Sequence, residues 1–159
     1  MKTTREAAKE ASHKQMVKHL QDLLDRNYDA EKGYKEAMEH TENISLKHFL
    51  RDQAALRNHF ATEIDKMLHE INEHPQVGSE RKGLGNLHQF WLNFTKTFSK
   101  PNDEKILEKS IKDEKEMIRH YEEKMRKFIF PVSIKERLMN HVGELRKRLS
   151  EVKILEDIE

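Results

Sequence analysis

The sequence predicts an all-α protein, a four-helix bundle made of two antiparallel helical hairpins joined by a long crossover. Apolar residues recur three and four positions apart in four long segments, which is the spacing of one buried helix face. The chain holds only five glycines and three prolines, and no stretch alternates apolar and polar residues as a half-buried strand would. Because 37% of the residues are charged and 35% are hydrophobic, we expect amphipathic helices with wide solvated faces.

Size and charge limit the classes of function. At 159 residues the chain is long enough for one domain with its own core. Thirty basic and 29 acidic residues give a net charge of +1, so we expect neither nucleic acid nor a membrane as a partner. The absence of cysteine excludes disulfides, thiolate metal sites and a cysteine nucleophile. No apolar run is long enough for a membrane span or a secretion signal, so we expect a soluble cytoplasmic protein.

The N-terminal residues differ from the rest of the chain. Residues 1–12 favour helix but carry no apolar face, so we expect a flexible or frayed helical extension. Ser12 and Gln15 form the predicted capping box at which helix one begins. Residues 13–159 are then a single bundle domain.

Helices one and two form the first hairpin. Helix one ends near residues 40–43, and helix two begins around Ile44, so the short connection makes them antiparallel. His74-Pro75 is the predicted stop of helix two, because the residue before a proline disfavours helix. The buried side of helix one is predicted to carry Met16, Leu20, Leu23, Leu24, Asn27, Ala30, Glu31, Tyr34, Ala37 and Met38. That of helix two is predicted to carry Leu46, Phe49, Leu50, Gln53, Leu56, Phe60, Ile64, Met67, Leu68 and Ile71.

Residues 75–103 form the predicted crossover. A glycine-containing polar run over residues 76–85 indicates a loop, and a short, strongly apolar helix follows it. We interpret His88, Trp91 and Phe94 on this short fifth helix as part of a lid over the bundle. The alternative is that they form a surface for a ligand or a protein partner.

Helices three and four form the second hairpin. Helix three, over residues 104–128, has an apolar row with one acidic break at Glu114. A carboxylate that faces a bundle core is costly unless it is paired, protonated or bound to a cation. Ser133 and Glu136 form a predicted capping box for helix four. The apolar row of helix four includes Ile134, Leu138, Leu145, Leu149, Val152 and Leu155, with His141 among them.

Two hairpins joined by a crossover are the arrangement of ferritin-like bundles, which raises the question of a di-iron centre. Such a centre takes one Glu from each of two helices and a Glu-x-x-His pair from each of the other two. Here Glu31, Glu63, Glu114 and Glu144 lie one on each helix. Lysine, not histidine, stands three positions after both Glu63 and Glu144, and a lysine ammonium has no lone pair for a metal. Levels estimated along the two hairpins also keep the four glutamates apart.

Two interpretations of the polar core residues stay open. In the first, they form a polar seam that fixes helix register through buried hydrogen bonds, and its members are Asn27, Tyr34, Glu114, Tyr121 and His141. In the second, they hold one or two metal ions, and the candidate ligands are Glu31, His59, Glu63, Glu114, His141 and Glu144. The level estimate places Tyr121 beside His141 and Asn27 opposite Asn58.

Several short motifs carry a resemblance to a family. Residues 27–34 read Asn-Tyr-Asp-Ala-Glu-Lys-Gly-Tyr, residues 88–91 read His-Gln-Phe-Trp, and Glu114 and Tyr121 follow in helix three. In these motifs the chain resembles uncharacterised bacterial ferritin-like proteins that are grouped under a domain of unknown function, some of them described as stress-related. The resemblance extends from Leu20 to Leu155 and implies a ferritin-like four-helix fold.

The resemblance departs late in helix four, where similar proteins carry His-Asp and this chain has Leu149-Ser150. It therefore supplies no cation for Glu114. We expect a non-enzymatic bundle that needs no cofactor and acts through association, as a homodimer or with another protein, in a stress response. The alternative is a metal-binding oxidoreductase or metal-storage bundle centred on Glu114, with iron or manganese as the metal.

Overall fold

Four helices make up the part of the chain that the computed structural model describes, which is residues 3–71, 73 and 103–158. They are α1 (Thr4–Met38), α2 (Ile44–Glu70), α3 (Asp103–Lys127) and α4 (Val132–Ile158). These residues contain no strand. The predicted all-α fold is therefore confirmed.

The helices pack as two neighbouring hairpins. α1 packs against α2 and α3 against α4, while α1 also contacts α3 and α2 contacts α4. The Thr41 hydroxyl, in the turn between α1 and α2, donates a hydrogen bond to the Asp103 carboxylate at the start of α3. α2 and α3 therefore begin at the same end and run parallel, an arrangement compatible with a four-helix bundle. The predicted fifth helix, with His88, Trp91 and Phe94, lies outside the described residues.

α1 begins earlier than predicted, at Thr4 and not after Ser12. Thr3 Oγ1 accepts a hydrogen bond from the Glu6 amide at 3.2 Å, and the Glu6 carboxylate accepts one from the Thr3 amide at 3.0 Å. These two bonds make a complete capping box, and the alanines, lysines and glutamates that follow are strong helix formers. Residues 3–12 are all exposed, so this first part of α1 forms a helix without being buried.

The ends of α2 and α4 also differ from prediction. α2 ends at Glu70, short of the predicted stop. α4 begins at Val132, so the predicted capping box at Ser133 is wrong. The carbonyl of Pro131 accepts the first hydrogen bond of the helix from the Lys135 amide at 2.9 Å. Pro131 is thus the residue before the first helical position, and it has no amide hydrogen that would need a partner there.

Buried apolar side chains form two clusters, one towards each end of the bundle. The upper cluster, beside the α1–α2 turn, contains Ala30, Tyr34, Ala37, Leu46, Leu50, Ala54, Ile106, Leu107 and Val152. The lower cluster, beside the α3–α4 turn, is larger and includes Leu20, Leu23, Leu24, Phe60, Ile64, Met67, Met117, Tyr121, Phe128, Phe130, Ile134, Leu138 and Leu145. Buried polar residues lie between the two clusters. Among the described helices, none combines the length and the apolar character needed to cross a membrane.

Candidate functional site: a buried charged layer and a tyrosine–histidine row

Glu114, the acidic break in the apolar row of α3, is completely buried, with 0% of its surface exposed. Its Oε1 atom accepts three hydrogen bonds from two other helices. Tyr34 of α1 donates its hydroxyl at 2.6 Å, Gln53 of α2 donates Nε2 at 2.7 Å, and Arg57 of α2 donates Nη2 at 2.8 Å. We call these four residues the charged layer. It joins three helices at a single carboxylate oxygen.

Arg57 supplies the cation that Glu114 needs in the core. The guanidinium is 1% exposed and forms an ion pair with the carboxylate. Burial by itself lowers the pKa of Arg57, but the adjacent Glu114 carboxylate outweighs burial and holds that pKa above its ordinary value. Burial raises the pKa of Tyr34 well above its usual range, and the Glu114 charge raises it further. The Tyr34 hydroxyl is therefore a permanent hydrogen-bond donor.

A second buried ion pair lies next to the first on α3. The Lys109 ammonium donates a hydrogen bond to the Asp113 carboxylate one helical turn away, and both side chains are buried. Burial raises the pKa of Asp113, while the Lys109 charge opposes that rise. The Asp113 carboxylate also interacts electrostatically with Arg57 and Glu114. Each of these two carboxylates therefore has a buried cation within hydrogen-bond distance.

A chain of hydrogen bonds leads from the charged layer towards the outside of the bundle. Arg57 Nη1 donates to Asn27 Oδ1 at 3.4 Å, and Asn27 Nδ2 donates to the Tyr121 hydroxyl oxygen at 3.0 Å. The Tyr121 hydroxyl is joined to His141 Nδ1 at 2.8 Å, and His141 Nε2 to Glu63 Oε2 at 2.9 Å. We call Tyr121, His141 and Glu63 the tyrosine–histidine row.

The protons of this row can be assigned from its donors. The Asn27 amide nitrogen can only donate, so the Tyr121 oxygen accepts from it and directs its own proton to His141 Nδ1. His141 Nε2 then carries the ring proton and donates it to Glu63. Burial holds the pKa of His141 below its ordinary value, and the hydrogen bond to Glu63 only partly opposes this. The row is therefore a chain of neutral hydroxyl and imidazole groups that ends at a carboxylate.

The row ends at the surface of α2. His141 is 2% exposed and its ring stacks on Phe60 at a centroid distance of 4.0 Å, whereas the Glu63 side chain is 31% exposed. The other oxygen of Glu63 pairs with Nε2 of the exposed His59 at 2.5 Å. One carboxylate thus bridges a buried and an exposed imidazole.

The structure does not bring all six predicted metal ligands together in one place. His59, Glu63 and His141 meet, but the His141 Nε2 that faces Glu63 is the protonated nitrogen and has no lone pair for a metal. Glu31 pairs with the lysine one turn along α1, and Glu144 is exposed on α4. Within the described ranges, no three or more histidine, aspartate or glutamate side chains are placed to hold a metal ion.

Catalysis by the row is also disfavoured by its position. A hydroxyl, an imidazole and a carboxylate in sequence can activate a nucleophile, but the nucleophile has to reach a substrate. The Tyr121 hydroxyl belongs to a side chain that is 0% exposed, and burial raises its pKa, which keeps the proton on the oxygen. It already bonds Asn27 and His141. We assign it a structural role.

Sequence reasoning found most of these residues but missed Arg57. The five predicted polar core residues are all buried, and Tyr121 and His141 are hydrogen-bonded, as the level estimate predicts. The level estimate predicts Asn58 opposite Asn27, whereas in the structure Asn27 accepts a hydrogen bond from Arg57, the residue before Asn58. A signal for Arg57 existed in the spacing, because it lies four residues after Gln53 and three before Phe60, both on the predicted buried side.

Four buried polar atoms beside the ion pairs have no hydrogen-bond partner among the described residues. They are Glu114 Oε2, Gln53 Oε1, Arg57 Nε and Asp113 Oδ2. An unsatisfied buried polar group typically costs about 1–3 kcal/mol of folding free energy. Buried polar atoms are therefore normally hydrogen-bonded, either to protein or to ordered water.

Fold and site together define an all-α helical protein whose two apolar clusters are separated by a buried layer of paired charges. The chain matches a family model described as Domain of unknown function (DUF2383) over residues 15–127, and it belongs to that family. The match covers the whole charged layer and stops at the end of α3, before His141. No curated protein and no solved structure matches the chain significantly.

Proposed function

We propose that this chain is a non-enzymatic, ferritin-like four-helix bundle protein of the cytoplasm in which the charged layer fixes how the helices pack. It acts by associating with a protein partner, first of all a second copy of itself. The stress-related description of some similar bacterial proteins is our reason for extending the proposal to a stress response.

The observation that carries this proposal is the position of Arg57. In a di-iron bundle the buried carboxylates face two metal ions, which balance their charge. Here a buried guanidinium bonds the Glu114 carboxylate directly at 2.8 Å. Arg57 already neutralises the Glu114 carboxylate, so a divalent cation beside this pair would lack a counter-charge there and would be repelled by the guanidinium in a region of low dielectric. The residues around Glu114 therefore do not fit a metal centre.

Two neighbouring side chains support the association half of the proposal. Ile129 is 93% exposed and Val132 is 74% exposed, both at the α3–α4 turn. We take these two exposed side chains as part of the association surface, because contiguous exposed apolar surface marks sites of protein–protein contact. Charge is nearly balanced, at +1 overall, so repulsion between copies is weak.

Metal analysis of protein purified without a histidine tag tests the proposal against the metal-binding alternative. We expect iron and manganese far below one ion per chain, and the same content in Glu114→Gln and in the control Glu144→Gln, which changes an exposed glutamate of α4. Stoichiometric metal that is lost in Glu114→Gln and kept in Glu144→Gln would overturn the proposal. Light scattering on the same preparation gives the mass in solution. A monomer mass at every protein concentration would contradict the proposed homodimer.

A further inference from the structure

Three buried polar atoms of the charged layer have no hydrogen-bond partner among the described residues, and they lie close to one another. Gln53 Nε2 and Arg57 Nη2 both bond Glu114 Oε1, at 2.7 and 2.8 Å. Gln53 Oε1, Arg57 Nε and Glu114 Oε2 are each attached to the same carbon as one of those bonded atoms. All three are fully buried and have no hydrogen-bond partner among the described residues.

The planar guanidinium of Arg57 determines where its unpaired N–H bond points. In arginine the Nε–H and one Nη2–H bond point the same way, as the two prongs of a planar fork that can hold both oxygens of a carboxylate. Here Nη2 is bonded to Glu114 Oε1, and Nε has no partner among the described residues. Because Nε lies on the same edge of the guanidinium as Nη2, its N–H bond points towards the region beside that carboxylate.

The chemistry of the three atoms defines what fits between them. Arg57 Nε is a donor, while Glu114 Oε2 and Gln53 Oε1 are acceptors, so the occupant must accept one hydrogen bond and donate two. The Glu114 and Arg57 charges cancel within their own pair, so an ion held by these three atoms would bring a further charge into the core. The occupant is therefore neutral.

We infer that the charged layer contains a binding site for one water molecule, held by Arg57 Nε, Glu114 Oε2 and Gln53 Oε1. Buried waters in proteins typically make about three hydrogen bonds to polar groups that would otherwise be unpaired, which is the number offered here. The water completes the carboxylate, so that both oxygens of Glu114 accept hydrogen bonds. It also gives the buried Gln53 amide oxygen a hydrogen-bond partner and so fixes the orientation of that amide.

The first test is a crystal structure of the wild-type protein at a resolution that shows ordered solvent. We expect one solvent peak within hydrogen-bond distance of all three atoms. A carboxylate turned so that Oε2 bonds Arg57 Nε directly, or a protein side chain in that position, would overturn the inference. A larger or charged solute there would also overturn it, because the site would then not be one for water.

The second test measures the water in solution by oxygen-17 magnetic relaxation dispersion, which responds to waters that stay bound longer than the protein tumbles. We expect Gln53→Leu to lower the dispersion amplitude by the contribution of one water. The matched control is Gln15→Leu, which makes the same change at an exposed position of α1 and should keep the wild-type amplitude. Equal amplitudes in the folded Gln53→Leu protein and the wild type would contradict the inference. If Gln53→Leu does not fold, the wild-type crystal structure still decides.

Discussion

The charged layer and the tyrosine–histidine row differ in what they bury. The layer buries a full ion pair between α2 and α3, with Glu114 and Arg57 at 0% and 1% exposure. The row buries neutral groups, Tyr121 and His141, and places its only carboxylate, Glu63, at the surface. The layer joins α1, α2 and α3, the row joins α2, α3 and α4, and Asn27 connects them.

This difference determines what each region can do. A buried ion pair costs much desolvation, and removing either partner leaves an isolated charge in the core. The layer therefore tolerates little change and suits a role in fixing helix register. The row contains a neutral imidazole that can gain a proton, and its end is in contact with solvent through Glu63. We expect the layer to control how stable the fold is, and the row to control how stability varies with pH.

The largest expected effect is that of Arg57→Ala. It leaves the Glu114 carboxylate buried without a cation, so we expect the free energy of unfolding to fall by about 3–5 kcal/mol, measured by urea denaturation. The control is Arg146→Ala on α4, whose side chain is 62% exposed. Exposed ion pairs contribute little, so that variant should unfold almost as the wild type does.

A double variant sharpens the same comparison. In Arg57→Met with Glu114→Leu, both charges are gone, and well-packed apolar replacements of buried ion pairs are often tolerated. We therefore expect the double variant to be more stable than Arg57→Ala, although Tyr34 and Gln53 lose their acceptor. A double variant that is less stable than the single one would mean that the charges do more than neutralise each other.

A smaller effect is expected in the row, for Tyr121→Phe. The variant leaves His141 Nδ1 and one Asn27 N–H group buried without partners, which should lower the free energy of unfolding by about 1–3 kcal/mol. Tyr28→Phe makes the same change on α1, where the tyrosine is only partly buried, and should cost less. If both variants lose the same small amount, the Tyr121 hydroxyl is not a link in the row.

The helices could be predicted because the three- and four-residue spacing of apolar residues is contained within each helix. The residues at which the helices begin and end were harder to predict. The absence of an apolar face before residue 13 led to the prediction of a helix start at Ser12 and Gln15, whereas the capping box in the structure is formed by Thr3 and Glu6. α1 starts at this capping box because alanine, lysine and glutamate form helix without burial. A helix start depends on local chemistry, whereas the apolar spacing reports only packing.

Only part of the site could be predicted, because some of its features lie within one helix and others depend on how the helices pack. Glu114 stands out within α3 because an acid interrupts an apolar row, and the interruption can be seen without knowing the other helices. Its cation is 57 residues away on another helix, beside Leu56, which fits the buried side of α2 equally well from spacing alone. Only the packing of α2 against α3 shows that Arg57 is the residue that reaches Glu114, whereas Leu56 packs partly buried against the lower cluster.

The smallest expected effect is the pH dependence that His141 gives to stability. Its pKa is below the ordinary value in the folded protein, so the unfolded chain binds a proton more readily between the two pKa values. The free energy of unfolding should therefore fall as the pH drops below about 6.5, by at most about 1.4 kcal/mol per pH unit for one proton. The groups that act on the imidazole are Glu63, His59 and Arg57 from α2 and Tyr121 from α3.

Urea denaturation at a series of pH values, in the wild type and in His141→Gln, measures this contribution. We expect the variant to lose less stability on acidification than the wild type, because its side chain at position 141 cannot take up a proton. His120→Gln is the control on α3. Burial also lowers the His120 pKa, but its side chain is 23% exposed, so its replacement should flatten the profile less. An acid fall in His141→Gln as steep as in the wild type would mean that this imidazole is not held neutral, and the row would then not be the pH-sensitive region of the bundle.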